Sequence, residues 1–156
     1  MAESIKLDSI DRAILRVLKT KGRIGINELG TEVGLSPSPV SRRLQRLEAC
    51  GIIRGYAAVI DEAALGYGIS VFVSVKLERQ VDDAIAKFEA TVSRLPEVVD
   101  CWLMTGNRDY LLRVATSGLQ EFERFLTSSL TRIEGVASIE SSIPLRRVKG
   151  DQARTL

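Results

Sequence analysis

The sequence predicts an α+β fold: three short helices, a linker strand, then a four-stranded sheet carrying two helices. Three observations predict it. Apolar residues recur at helical spacing through residues 8–50, and from Ile69 onward they alternate with a period of two. The stretches that follow come in the order βαββαβ, the split βαβ arrangement of ferredoxin-like domains. Charge divides along the same line. Residues 1–55 hold 10 Lys and Arg against 6 Asp and Glu, and the remainder hold 12 against 14, so a basic head precedes a mildly acidic body.

The first helix lies in "LDSIDRAILRVLKTKGR", where Ile10, Ile14, Val17 and Leu18 share a face. Asp8 is its expected N-cap, with Asp11 three positions on and Gly22 as a stop. The second helix, "INELGTEVGL", places Ile26, Leu29 and Val33 together and ends at Gly34. The third begins in "SPSPVSRRLQRLEA". Ser36 is expected to cap it through its hydroxyl. Pro37 and Pro39 fall in its first turn, where a missing N–H removes no helical bond.

At about 100° per residue, Val40, Leu44 and Leu47 form the buried stripe of that helix, and Ser38, Ser41, Arg42, Gln45 and Arg46 face solvent. Serine, glutamine and arginine on one exposed face can bond base edges and phosphates in a major groove, and Arg43, on the flank, suits a phosphate. The turn at Gly34 and a small residue, Gly30, where two helices cross complete a helix-turn-helix. The same arginines would also serve as a solvated face on a plain helical hairpin.

"RGYAAVIDEAALGYG" reads as a linker strand running into a loop. Beyond it, Ile69, Val71, Val73, Val75 and Leu77 alternate along a strand. Val81, Ile85, Phe88, Val92 and Leu95 mark a helix, "VVDCWLM" a strand, Thr105–Asp109 a turn and "YLLRVAT" another strand. A helix follows with Leu119, Phe122, Leu126 and Ile133 inward, then a last strand, "VASIESSIPLRRV", in which Pro144 marks an edge or an end. Phe72, Trp102 and Leu112 are candidates for the sheet face not covered by helices, which predicts sheet-to-sheet dimers. The expected boundaries are 1–55 for the helix-turn-helix domain, 56–68 for the linker, 69–150 for the ferredoxin-like domain and 151–156 for a tail.

Histidine is absent, and the two cysteines, Cys50 and Cys101, stand far apart. A zinc site, a Ser-His-Asp triad and a structural disulfide are therefore not expected. No cofactor or catalytic residue is expected, and the chain reads as a non-enzyme. Acylphosphatase-type hydrolases share the ferredoxin-like fold and use an Arg and an Asn, as at Asn107 and Arg108, but "KLERQVDDA" supplies no phosphate-cradling loop after the first strand. No apolar run approaches the ~20 residues of a membrane span, and the opening "MAESIKLDSIDR" carries no signal segment, so a cytoplasmic location is expected.

"LDSIDRAILRVL", "GLSPSPVSRRLQRLEACGIIRGYAAVID", "VVDCWLMTGNRDYLLRV" and "EGVASIESSIPLRRVK" together resemble the Lrp/AsnC family of feast/famine regulators, from about Lys6 to Lys149. The resemblance implies a transcription factor that binds double-stranded DNA through Ser36, Ser38, Ser41, Arg42, Arg43, Gln45 and Arg46. It implies homodimers that assemble to octamers, and a small effector, a free amino acid, held between dimers. Carried over position by position, the effector site would include Leu103, Gly106, Asn107, Asp109 and Tyr110, closed by Leu119, Ser141 and Ser142.

By chemistry alone, Gly106 and its neighbours could offer N–H groups to a carboxylate and Asp109 could hold an ammonium. "GNRD" is equally a hairpin turn whose Gly and Asn accommodate positive φ. Asn107, Arg108 and the "PLRR" run depart from the family's usual pattern and leave the effector's identity open. The alternative function is an effector-independent protein of the same fold that organises DNA.

Overall fold

The computed structural model describes residues 6–79 and 81–150. The described residues divide into two compact units: 6–59 with 149–150, and Ile60–Val148.

The first unit consists of α1 (Ser9–Thr20), α2 (Ile26–Val33) and α3 (Pro37–Ala49). Asp8 caps α1 as its sequence suggests, in a reciprocal capping box with Asp11. Ile14, Leu29, Val40 and Leu47 are wholly buried where the three helices meet, with Ile10, Val33, Leu35 and Leu44 packed around them. Four buried side chains make a small core, so the joints between helices carry much of the specification. At one joint Gly34 adopts φ 71°, the left-handed conformation that ends α2. In the same joint the amide of Leu35 donates to the carbonyl of Gly30 at 2.9 Å.

The second unit is a four-stranded antiparallel sheet in the order β2-β3-β1-β4, with β1 Ile69–Leu77, β2 Val98–Leu103, β3 Tyr110–Thr116 and β4 Val136–Ser142. Helices α4 (Asp82–Val92) and α5 (Leu119–Ser128) supply Phe88, Val92, Phe122 and Phe125 to the core. The inward positions of β1, Val71, Val73 and Val75, are fully buried against them. The period-two alternation from Ile69 is thus the pleat itself, one face packed and one open.

Four expectations need correction. Leu112, expected on the open face, pairs with Val73 and is fully buried under the helices. Its neighbour Leu111 lies opposite Ser74 and Trp102 and takes the open face instead. The predicted linker strand forms no ladder among the described residues: 54–60 carry no regular structure, and Asp61 then nucleates a turn by accepting the amides of Ala63 and Ala64 at 3.0 and 3.2 Å.

The last helix stops at Ser128 and gives way to a short 3-10 turn, Leu130–Arg132. In "TSSLT" the hydroxyl of Thr127 donates to the carbonyl of Glu123 at 2.9 Å, and that of Thr131 to Leu126 at 2.8 Å, bonds that compete with helix continuation. Leu119, expected inward, opens α5 with its side chain mainly in solvent, and Phe122 and Phe125 are the buried residues of that helix.

Candidate DNA-recognition and effector sites

Helix α3 starts without a side-chain cap from Ser36, contrary to expectation. The second proline contributes to this. Pro39 stands at the third helical position and carries no N–H, so one of the two amides that a capping side chain accepts from does not exist. The helix leaves α2 at a close crossing. A Cβ on Gly30 would stand 2.6 Å from the carbonyl oxygen of Leu35, so only glycine fits there.

With Val40 and Leu47 buried, Ser38, Arg42 and Gln45 are exposed on the opposite side and Ser41 is half-buried. Arg42 has no carboxylate partner among the described residues. Arg43 and Arg46 differ. Nη1 of Arg43 donates to Asp8 at 2.6 Å and to Asp11 at 2.8 Å, and Nη2 of Arg46 donates to the other oxygen of Asp11. The expectation that Arg46 simply points into solvent is therefore corrected: half its side chain is exposed, but its guanidinium is tied back to α1. The Asp11 amide, followed by Arg43, holds the Asp8 carboxyl down at about 2.

In the second unit, Leu103 and Tyr110 are partners where the β2–β3 ladder meets the 104–109 turn. Gly106, at φ 108°, and Asn107 are exposed at its tip. Arg108 reaches from the turn to β4, donating to Ser138 at 3.2 Å and pairing with Glu140. Asp109 and Tyr110 face inward. The Asp109 carboxylate accepts the amide of Leu77 at 2.6 Å, in a residue only 6% exposed. The Tyr110 ring lies 4.5 Å from that of Phe88 and its hydroxyl donates to Glu89 at 2.9 Å; burial, then Glu89, raises its pKa. An ammonium-binding role expected of Asp109 meets a carboxylate already engaged with main chain.

Leu119, Ser141 and Ser142 are not brought to the turn. Leu119 lies past Thr116, the far end of β3, which is itself six residue steps from Tyr110, or about 20 Å at ~3.4 Å per step. Ser141 pairs with Val73 and Ser142 with Phe72, so the two serines take opposite faces of an edge strand. One chain cannot close Leu119 and the turn around one small molecule, nor turn both serines to the same face of the sheet.

Residues 70–153 match the family model for the Lrp/AsnC ligand binding domain, and residues 7–54 match that for a winged helix-turn-helix DNA-binding domain. The chain belongs to the Lrp/AsnC family. It is similar to the Bkd operon transcriptional regulator of Pseudomonas aeruginosa, 46% identical over 92% of this chain and 94% of that protein. A leucine-responsive regulatory protein of Rhizobium meliloti is 38% identical over 96% of each. Among solved structures, a transcriptional regulator of Neisseria meningitidis in complex with L-Met superposes with a TM-score of 0.89, at 39% identity over 93% of this chain and 94% of that one. This Lrp/AsnC chain is accordingly a DNA-binding transcriptional regulator with an effector-binding domain.

Two features of this Lrp/AsnC chain had no sequence signal. A cleft of about 360 Å³ between α4 and β2 is lined by Glu89, Val92, Ser93, Cys101 and Leu103. It depends on which residues of β2 face the helix, a matter the bulge near Val99 decides. On the open face, Arg113 holds Glu62 through both terminal nitrogens at 2.8 and 2.9 Å and Asp100 through Nε at 2.9 Å. The partners are 51 and 13 residues away in sequence, beyond any local pattern.

Proposed function

We propose that the chain binds a partly palindromic duplex as a homodimer through Ser36, Ser38, Ser41, Arg42, Arg43, Gln45 and Arg46, and that a free amino acid alters its assembly or DNA affinity. The exposed Ser–Arg–Gln face of α3, with Arg42 lacking a carboxylate partner among the described residues, is the observation that carries the DNA half of this reading. Half-sites one helical turn apart, or a multiple of it, follow from a two-fold dimer.

The effector half rests on the family's ligand binding domain and on the Neisseria relative's complex with L-Met. We place the amino acid at the 104–109 turn, on Leu103, Gly106 and Asn107, with Asp109 and Tyr110 shaping the turn from beneath. Leu119 would come from another chain, since its distance from the turn excludes a site within one, and Ser141 and Ser142 would close the site from β4. The open face supports a dimer: Leu111 and Trp102 are cross-strand partners there, Phe72 lies on the same face opposite Arg113, and Leu65 and Tyr67 are exposed in the preceding segment. Octamers are the assembly this reading expects. We assign residues 1–55 to DNA, 56–68 to a hinge and 69–150 to effector and assembly, in a cytoplasmic regulator with no catalytic role. No described helix is long and apolar enough to cross a membrane.

A thermal melt against each of the twenty amino acids at millimolar concentration tests the effector. A ligand at 100 times its Kd stabilises by about 2.7 kcal/mol, a shift of several degrees. One clear hit names the signal. A flat panel, with DNA binding intact, would replace this reading by an effector-independent DNA-organising protein.

A further inference from the structure

We propose that Asp11 is a positioning residue for DNA recognition: its buried carboxylate fixes Arg43 and Arg46 so that they present their remaining donors to phosphates, leaving Arg42 and Gln45 to discriminate bases. The inference rests on the DNA-binding reading of α3.

Asp11 belongs to α1, and its side chain is fully buried. One of its oxygens accepts from Arg43, and the other accepts from Arg46 and from the amide of Asp8 at 3.2 Å. Residues 43 and 46 are three apart on α3 and so stand one above the other on the same flank. The network therefore clamps α3 to α1 at two points along its length, which sets both its crossing position and its rotation about its own axis. Asp8 adds a second contact to Arg43 from outside, with half of its side chain in solvent.

Charge bookkeeping separates the three arginines. Asp8 and Asp11 together balance Arg43 and Arg46, whereas Arg42 has no such partner among the described residues. A guanidinium tied back to α1 is held in place and is not free to swing toward a base edge, but its outward N–H groups can still meet a phosphate. Nor is a buried carboxylate an economical way to hold two helices together, because desolvation offsets much of the ion-pair attraction. An apolar residue would pack the small core at less cost, and what the carboxylate adds is fixed direction for two cations on the recognition helix.

The test uses the full chain and the duplex it enriches from a random-sequence pool, with binding to that duplex and to a scrambled one measured across salt concentrations. Asp11→Asn keeps the side chain's size and an acceptor for the Asp8 amide but removes the charge. The specific-to-scrambled affinity ratio should fall roughly tenfold, the size of one lost base contact. The released arginine should also steepen the salt dependence on scrambled DNA by about one counterion. A merely structural Asp11 would instead lower both affinities alike with the slope unchanged, and that result overturns the proposal.

Asp8→Asn, at the exposed and less central partner, should move ratio and slope in the same directions by less. It decides the matter if circular dichroism shows Asp11→Asn unfolded, and parental behaviour from it in that case also overturns the proposal. With Arg43→Ala and Arg46→Ala already in place, Asp11→Asn should leave the slope unmoved; a further change would show that Asp11 acts by another route. A parent that binds no duplex defeats the DNA-binding reading itself, an outcome distinct from a parent that binds while Asp11→Asn is silent.

Discussion

The main-chain amide of Leu77 donates to Oδ2 of Asp109 across 2.6 Å, where the β1–β4 register shifts between Lys76 and Leu77. The amide of Asp109 in turn donates to Val75, and its carbonyl accepts from Met104 at 2.8 Å. One residue thus ties the turn that precedes β3 to the end of β1, and its carboxylate takes up an N–H that a regular ladder would have paired.

Asp109→Ala strands that amide. A buried donor left without a partner costs about 1–3 kcal/mol, so the second unit should melt lower by that amount in a denaturant series. Asp109→Asn keeps an acceptor oxygen and should lose less. Equal losses for both would mean that charge, not acceptance of the Leu77 amide, is what the site needs.

Gly30→Ala puts a methyl where 2.6 Å separates it from the Leu35 carbonyl. The obstacle is backbone and cannot swing aside, so overpacking should cost about 1–3 kcal/mol and displace α3. The head should then lose DNA affinity while the response of the second unit to heat is unchanged, as differential scanning calorimetry can resolve.

Arg42→Ala should weaken binding to the preferred duplex by about 1–3 kcal/mol and relax choice at one base position, while a phosphate contact such as Arg43 affects all sequences alike. Electrophoretic mobility shifts on single-position variants of the site distinguish these patterns. Indifference of every site variant to Arg42→Ala would remove it from base reading.

The head should also be acid-sensitive. Asp8 has its carboxyl lowered from 3.8 to about 2, first by the Asp11 amide and then by Arg43. A group whose pKa falls on folding adds stability that is complete above its ordinary value and disappears as pH drops toward the folded one. Helix signal from the head should thus decline between about pH 4 and 2, and Asp8→Asn should flatten that decline.

Leu111 and Leu112, adjacent in sequence, should respond in opposite ways. Leu112→Ala opens a cavity in the core and should cost about 2–5 kcal/mol. Leu111→Glu charges the open face, so sedimentation should report smaller assemblies while the monomer's fold survives.

That pair also shows what one sequence can and cannot disclose. The capping box at Asp8, the proline start of α3, the glycine at the helix crossing and the period of β1 were legible because each is written within a few neighbouring residues. "YLLRVAT" is apolar at too many positions to reveal its phase, and only pairing with Val73 and Ser74 assigns Leu112 inward and Leu111 outward. Asp109 was legible as the end of a turn and Tyr110 as the start of a strand, but neither as inward-facing, since their partners, Leu77 and Glu89, lie 32 and 21 residues away. The segment after Arg54 has strand-like composition without a strand, because pairing requires a partner that composition does not supply.

The distance between Leu119 and the 104–109 turn has a consequence for how such a sensor reports. A small molecule touching both must also join chains, so its binding equilibrium contains the protein's own concentration. Diluting the regulator would weaken its apparent grip on the signal, and raising its abundance would sharpen the response with no change in any contact. Expression level and metabolite level would be read as a product, not separately.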